Sequence, residues 1–259
     1  MAIDFITHVG TKTLEACAST GSFTLFLWDT VKTGFTTKLK VKKLFDQMER
    51  IGVESFPIVI LTGTFAGMVF ALQSYIGFQR VGGEQFIGAI VSLGMIRELA
   101  PVLTGLMVAG RAGSAIAAEI GTMNITEQID ALRTLLINPL QYLSVPRILA
   151  GTIIMPFLTL FSMFCGIIGG YFVCVYVLQL SSEDFINNIR LYVEIKDIAG
   201  GLIKAVTFGL ILSWVGCYKG FNTRGGARGV GQSTTQSVVL GSLMILGANY
   251  LLTKLLEHI

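Results

Sequence analysis

The sequence predicts an all-α integral membrane protein, with an N-terminal interfacial helix followed by about five transmembrane helices. Hydrophobic residues make up 53% of the chain and charged ones 14%, against roughly 25% charged in an ordinary soluble domain. Mean hydropathy is +0.70, and apolar runs long enough to cross a bilayer, about 20 residues, recur along the chain. A soluble protein of 259 residues has too little interior to hide that much apolar surface, so the excess faces lipid. The 30 glycines fall largely inside those runs, which suits close-packed membrane helices.

Residues 1–50 form an interfacial or elbow region. Phe5, Ile6, Val9, Leu14, Phe23, Phe26, Leu27, Trp28, Val31 and Phe35 sit among polar neighbours, with no uninterrupted apolar run of spanning length. A helix lying on one leaflet fits this pattern better than a frayed tail. Residues 51–259 form the transmembrane region. Its first span, 56–78, carries no charge, whereas the second, about 85–120, holds Arg97, Glu98 and Arg111. The third covers about 148–180, is longer than one crossing requires, and is expected to tilt or kink near Pro156. The fourth, about 198–218, contains Lys204, and the fifth covers about 237–253. Residues 183–197 (EDFINNIRLYVEIKD) read as a short amphipathic helix outside the membrane.

Lys and Arg counts orient these spans. Lys32, Lys38, Lys40, Lys42, Lys43 and Arg50 precede the first span, and only Arg80 follows it. Arg111, Arg133 and Arg147 mark the next connection. Arg190 and Lys196, offset by Glu183, Asp184, Glu194 and Asp197, mark the one after, and Lys219, Arg224 and Arg228 the last. The alternation puts the N-terminus in the cytoplasm and the C-terminus outside. The first residues, with Asp4 and Glu15, lack a basic leader before an apolar run, so no cleaved signal peptide is expected.

Several function classes are excluded. A net charge of +3 is too mild for nucleic-acid binding. Cys17, Cys165, Cys174 and Cys217 are scattered, with no CxxC and two histidines to complete a metal site, so no metal is expected. Cys165 and Cys174 read as small buried hydrophobes. No GxxxxGK[ST] loop, GxSxG elbow or HExxH is present. The loop at 220–231 (GFNTRGGARGVG) follows a membrane helix and lacks a Lys-Ser/Thr pair, which favours a flexible connection over a phosphate cradle. No catalytic residue and no cofactor is expected, and any ATP used must be hydrolysed by another chain.

Three constellations remain. Gly105, Ala109, Gly113, Ala117 and Gly121 recur every four residues and form a stripe of small residues for close helix packing, within the chain or at a dimer seam. Arg97 and Glu98 are placed deep in the membrane, where each charge costs about 2.5–3.5 kcal/mol on insertion scales and needs a partner. Lys204 is the cation to meet Glu98, either as a helix lock or as part of a polar patch lining a lipid cavity. Finally, residues 124–138 (NITEQIDALRTLLIN) suggest a short cytoplasmic helix opened by an Asn124–Glu127 capping box and ended by Asn138-Pro139. Ile125, Ile129, Leu132 and Leu136 share one face, with Glu127, Asp130 and Arg133 turned elsewhere. That face packs on its own protein or docks on a cytoplasmic motor.

The run SLGMIRELAPVLTGLMVAGRAGSAIAAEIGTMNITEQIDAL (92–132), with NPLQYLSVPR (138–147), GLIKAVTFG (201–209) and GVGQSTTQSVV (229–239), resembles the core of the MlaE/YrbE permease family over about residues 40–255. The resemblance implies an MlaE-type permease fold and a permease subunit of an ABC-type phospholipid transporter in a bacterial inner membrane, preserving outer-membrane lipid asymmetry. It implies a homodimer with cytoplasmic ABC ATPase subunits below, an MCE-domain substrate-binding protein above, and often a small STAS-domain protein. It also implies that Glu127, Ile129, Leu132, Arg133 and Leu136 belong to the ATPase-coupling helix. Arg97, Glu98 and Lys204 then lie near the lipid cavity, with Phe70 and Phe78 on its apolar walls. The implied mechanism is mechanical: ATPase closure pushes the coupling helices and the two permeases rock about their seam. An ion-coupled carrier using Glu98 as a proton relay and a non-transporting scaffold are the rivals. Five spans without a visible inverted repeat weigh against the first, and intramembrane charges against the second.

Overall fold

A computed structural model describes residues 2–36 and 41–256, which are helical with short connections and contain no strand. Lys38 and Lys40 lie outside the described residues, as do the side chains of Phe5, Ile6, Val9 and Phe35. Among the described residues, five helical stretches are long and apolar enough to cross a membrane: Val41–Phe78, Glu84–Ile125, Leu140–Val177, Ile195–Phe221 and Gly226–Leu256. They alternate in direction, so the bundle has two ends.

Helix α1 (Ala2–Thr36) crosses the outside of one end. Phe23 stacks on Trp214 with centroids 3.9 Å apart, Phe26 meets Tyr218 and Phe221, and Gly34 approaches Val145. Trp28 and Leu25 point away from the bundle. Helix α2 (Val41–Gly52) is strongly amphipathic: Leu44, Met48 and Ile51 join the core while Lys42 and Phe45 are exposed. It runs through one 3₁₀ turn into α3 (Phe56–Phe78), whose Pro57 occupies the first turn, where its missing N–H costs nothing.

The second span is one long helical run built from α4 (Ile87–Gly94), α5 (Ala100–Val108) and α6 (Ser114–Ile125), joined by π turns at Met95–Leu99 and Ala109–Gly113. Short α7 (Gln128–Thr134) follows. The third span opens with a π turn at Leu140–Ser144, continues as α8 (Val145–Phe172) through Pro156, and closes with another π turn at Val173–Val177. At the far end, α9 (Ser182–Tyr192) is capped by Ser181. The expected single amphipathic helix over 183–197 is broken: Val193 and Glu194 are extended, and a Glu194–Asp197 capping box starts α10 (Ile195–Phe221). Reciprocal side-chain caps at this point make a new helix start more favourable than continuation. Helix α11 (Gly226–Leu256) completes the bundle after a turn in which Gly225 and Gly226 take left-handed φ angles of 89° and 66°.

Small residues set the packing. A methyl added at Gly67 would collide with the Gly166 carbonyl, and one at Gly63 would lie 2.6 Å from Ser162 Oγ, so α3 and α8 touch backbone to backbone. Gly209 on α10 meets Gly151 on α8 in the same way, and Gly220 lies against Ile120 on α6. Without a hydrophobic drive between helices in lipid, such close approach supplies the dispersion contacts that hold them. Of the four cysteines, all are free; Cys174 and Cys217 are buried, Cys165 is half-buried and Cys17 is exposed.

Candidate functional site

Arg97 and Glu98 of the second span meet Lys204 of the fourth in the part of the bundle nearer α9. Pro101 has no N–H to offer the carbonyl four residues back, that of Arg97. The helix relaxes into the π turn Met95–Leu99, with the Ala100 N–H bonding Met95 instead. Lys204, 3% exposed on α10, takes up the Arg97 carbonyl at 2.8 Å. Its ammonium also donates to Glu98 Oε1 at 2.6 Å and to Thr253 Oγ1 at 2.8 Å, so all three of its donors are used. Asn249 Nδ2 donates to Glu98 Oε2 at 3.0 Å. Three helices are thereby pinned around one buried cation.

Arg97 points another way. Its Nε and Nη2 both bond Asp197 Oδ1, at 2.7 and 2.6 Å. Asp197 is buried in the first turn of α10, where its other oxygen caps the Glu194 N–H. More than half of the Arg97 side chain, 56%, stays exposed. The run Glu84–Ile125 is 42 residues, about 60 Å at 1.5 Å per residue, and so exceeds a bilayer. Arg97 and Glu98 lie beside the first three turns of α10, Arg97 meeting Asp197 and Glu98 meeting Lys204. Together with Lys204 they line an open cavity of about 480 Å³, whose walls also include Glu194, Lys196, Thr253, Ile203 and Leu256. Phe70 and Phe78 do not reach it: Phe70 packs over Gly94, and Phe78 sits beside Gly83 at the turn after α3.

At the opposite end the expected helix over 124–138 is rearranged. Asn124 belongs to the last turn of α6 and donates to the Thr223 carbonyl at 2.9 Å, so it forms no capping box. Glu127 adopts a left-handed φ of 59° and α7 restarts after it. That break turns Ile129 into the core at 1% exposure, with Leu132 packed against the same cluster. Arg133 pairs with Asp130 at 2.9 Å on the outer side. Leu136, again left-handed at φ 58°, is 96% exposed beside Leu135 at 68%.

The stripe of small residues faces the chain's own helices. Gly105 lies against Phe208 and Ile245, Gly113 against the Leu212 carbonyl, and Gly121 against Thr223, while Ala109 and Ala117 are buried. Asp197, Asn249, Thr253 and Pro101 were not singled out from sequence. Pro101, four residues beyond Arg97 in an apolar run, was the available signal. Asn249 and Thr253, four residues apart on one face of α11, were a second.

The model of the family described as Permease MlaE matches residues 44–255. The chain is 45% identical over 255 residues to a probable ABC transporter permease protein of Rickettsia felis, covering 98% of each. It is 41% identical over 219 residues to a probable ABC transporter permease protein of Synechocystis, covering 85% of this chain and 83% of that one. It is 35% identical over 257 residues to the intermembrane phospholipid transport system permease protein MlaE of Haemophilus influenzae, covering 99% and 98%. A helical bundle with five stretches able to span a membrane, matched over most of its length, belongs to the MlaE permease family.

Proposed function

We propose that this chain is the membrane subunit of an ABC-type transporter that moves phospholipids between the inner and outer membranes of a bacterium. The observation that carries the reading is the cavity at the α9 end, whose charged floor of Arg97, Asp197, Glu98 and Lys204 adjoins apolar walls at Ile203 and Leu256. Such a site suits an amphiphile, with a head group at the charges and acyl chains along the apolar helices. The two ion pairs divide the work. Lys204 spends all three donors within the protein and, with Glu98, acts as a helix lock. Arg97, oriented by Asp197 and open to the cavity, meets the head-group phosphate.

The remaining parts follow the family resemblance. The α7 end faces the cytoplasm, where exposed Leu135 and Leu136 press on an ABC ATPase partner that hydrolyses the ATP. The N-terminus lies on that side as well, with α1 along the leaflet, and the C-terminus is periplasmic. Two copies form the transporter, an MCE-domain protein accepts lipid at the α9 end, and a STAS-domain protein completes the assembly. A proton-relay carrier is disfavoured because Lys204, Asn249 and Thr253 already surround the Glu98 carboxylate.

The test is reconstitution of the permease with its ATPase subunits in vesicles of phosphatidylethanolamine and phosphatidylglycerol carrying a fluorescent phospholipid. ATP-dependent lipid transfer supports the reading. ATP hydrolysis that moves no lipid with the MCE-domain partner present sinks it.

A further inference from the structure

The α7 end holds a second ionic cluster that the lipid site does not use. Arg147 on α8 is the most enclosed guanidinium of this cluster, with its side chain 4% exposed, and its Nη2 lies 2.9 Å from Glu119 Oε2 on α6. Its Nη1 donates to the Leu143 carbonyl at 2.8 Å. The other Glu119 oxygen receives Arg50 of α2 at 3.3 Å. One carboxylate therefore joins α2, α6 and α8. Beside it, Arg111 reaches from the π turn Ala109–Gly113 to the Glu54 carboxylate, to Ser55 Oγ at 2.8 Å and to the Arg50 carbonyl at 3.0 Å.

The position of the Glu119–Arg147 pair gives it a mechanical meaning. The chain between these two residues is the loop that carries α7, and the pair closes its base. The rim of that loop is Leu135 and Leu136, exposed and unburied by this chain. Its inner side is Ile129, fully packed in the core. A load on the rim reaches the membrane helices through the packing of Ile129 and through the base. A base free to splay would absorb the load locally. A base tied by a carboxylate shared between two guanidiniums passes it to α6, α8 and α2 as one body. Arg147 is the enclosed member, with its side chain 4% exposed against 41% for Glu119, so opening the tie strands the Arg147 charge.

We propose that Arg50, Glu119 and Arg147 are positioning residues that couple movement of α7 to the membrane helices. The inference rests on the reading of this chain as a permease driven by an ATPase at its α7 end. It needs no contact between the triad and either lipid or ATPase.

The experiment uses the reconstituted complex and measures phospholipid moved per ATP hydrolysed. Arg50→Ala removes the more exposed arm and leaves Glu119–Arg147 intact, and Glu119→Gln removes the shared charge. Mutations along a coupling network change coupling by about 0.5–2 kcal/mol. Both variants are expected to recover the ATPase subunits in normal amount and to lower lipid moved per ATP roughly two- to thirtyfold. Arg50→Lys should restore most of the loss seen in Arg50→Ala. A purely structural role would lower yield or melting temperature and leave the ratio at its wild-type value. An unchanged ratio in Arg50→Ala overturns the proposal, whether or not Glu119→Gln folds. Failure of the wild-type complex to move lipid is a different result: it removes the proposed function itself.

Discussion

Ile129 and Leu136 lie seven residues apart, the spacing of one helical face, yet one is 1% exposed and the other 96%. Helix α7 ends at Thr134, and the left-handed backbone at Leu136 swings its side chain outward. The periodicity that groups Ile129, Leu132 and Leu136 holds only while the helix continues. On the proposed reading, this apolar side chain, which the chain leaves almost fully exposed, fits a groove of the ATPase.

Leu136→Asp should therefore abolish recovery of the ATPase with the permease in a pull-down and leave the permease melting temperature unchanged. Ile129→Ala should do the reverse, costing about 2–5 kcal/mol of stability as a buried truncation while the folded fraction still binds. Undiminished ATPase recovery with Leu136→Asp would remove the docking assignment.

At the proposed lipid site, Lys204→Met should destabilise the fold strongly, because Glu98 and the Arg97 carbonyl both lose their cation; breaking a buried pair typically costs about 3–5 kcal/mol. The exchange Glu98→Lys with Lys204→Glu should not restore stability. A carboxylate at position 204 would face the Arg97 carbonyl, which needs a donor. Thermal melting in detergent decides this, and full rescue by the exchange would show that the Arg97 carbonyl carries no weight.

Arg97→Gln should behave differently from Lys204→Met. Its side chain is 56% exposed, so the fold should survive, while lipid transfer falls at least about tenfold, the effect of roughly 1.4 kcal/mol. Wild-type transfer by a well-folded Arg97→Gln protein would exclude Arg97 as the head-group contact.

The α3–α8 contact predicts a contrast between glycines of one helix. Gly67→Ala should lower the melting temperature sharply, since the new methyl meets the Gly166 backbone. Gly77→Ala, whose added methyl would have nothing within 4 Å, should be neutral or slightly stabilising. Equal melting temperatures for the two would mean that the helices do not touch as described.

Orientation is tested by labelling in a Cys17→Ser background. Glu183→Cys on α9 should react with an impermeant maleimide in spheroplasts, and Arg228→Cys at the start of α11 only after the membrane is opened. The opposite pattern would reverse the topology.

Composition and run length alone identify a helical membrane protein with about five stretches able to span a bilayer, because apolar run length is a local property that no tertiary contact changes. The sequence also singled out Glu98 and Lys204, since charges inside apolar helices demand partners. How these charges are shared depends on packing between helices. Arg97 pairs with Asp197 because the 183–197 segment breaks and gives Asp197 to α10. The stripe from Gly105 to Gly121 faces α10 and α11 because helix rotation, which periodicity leaves free, turns it inward. Arg50, Glu119 and Arg147 come together from α2, α6 and α8 through register across the bundle. Spacing along one helix defines a face; which neighbour that face meets, and where the helix stops, is set by backbone breaks such as Glu127 and Leu136 and by the fit of small residues between helices.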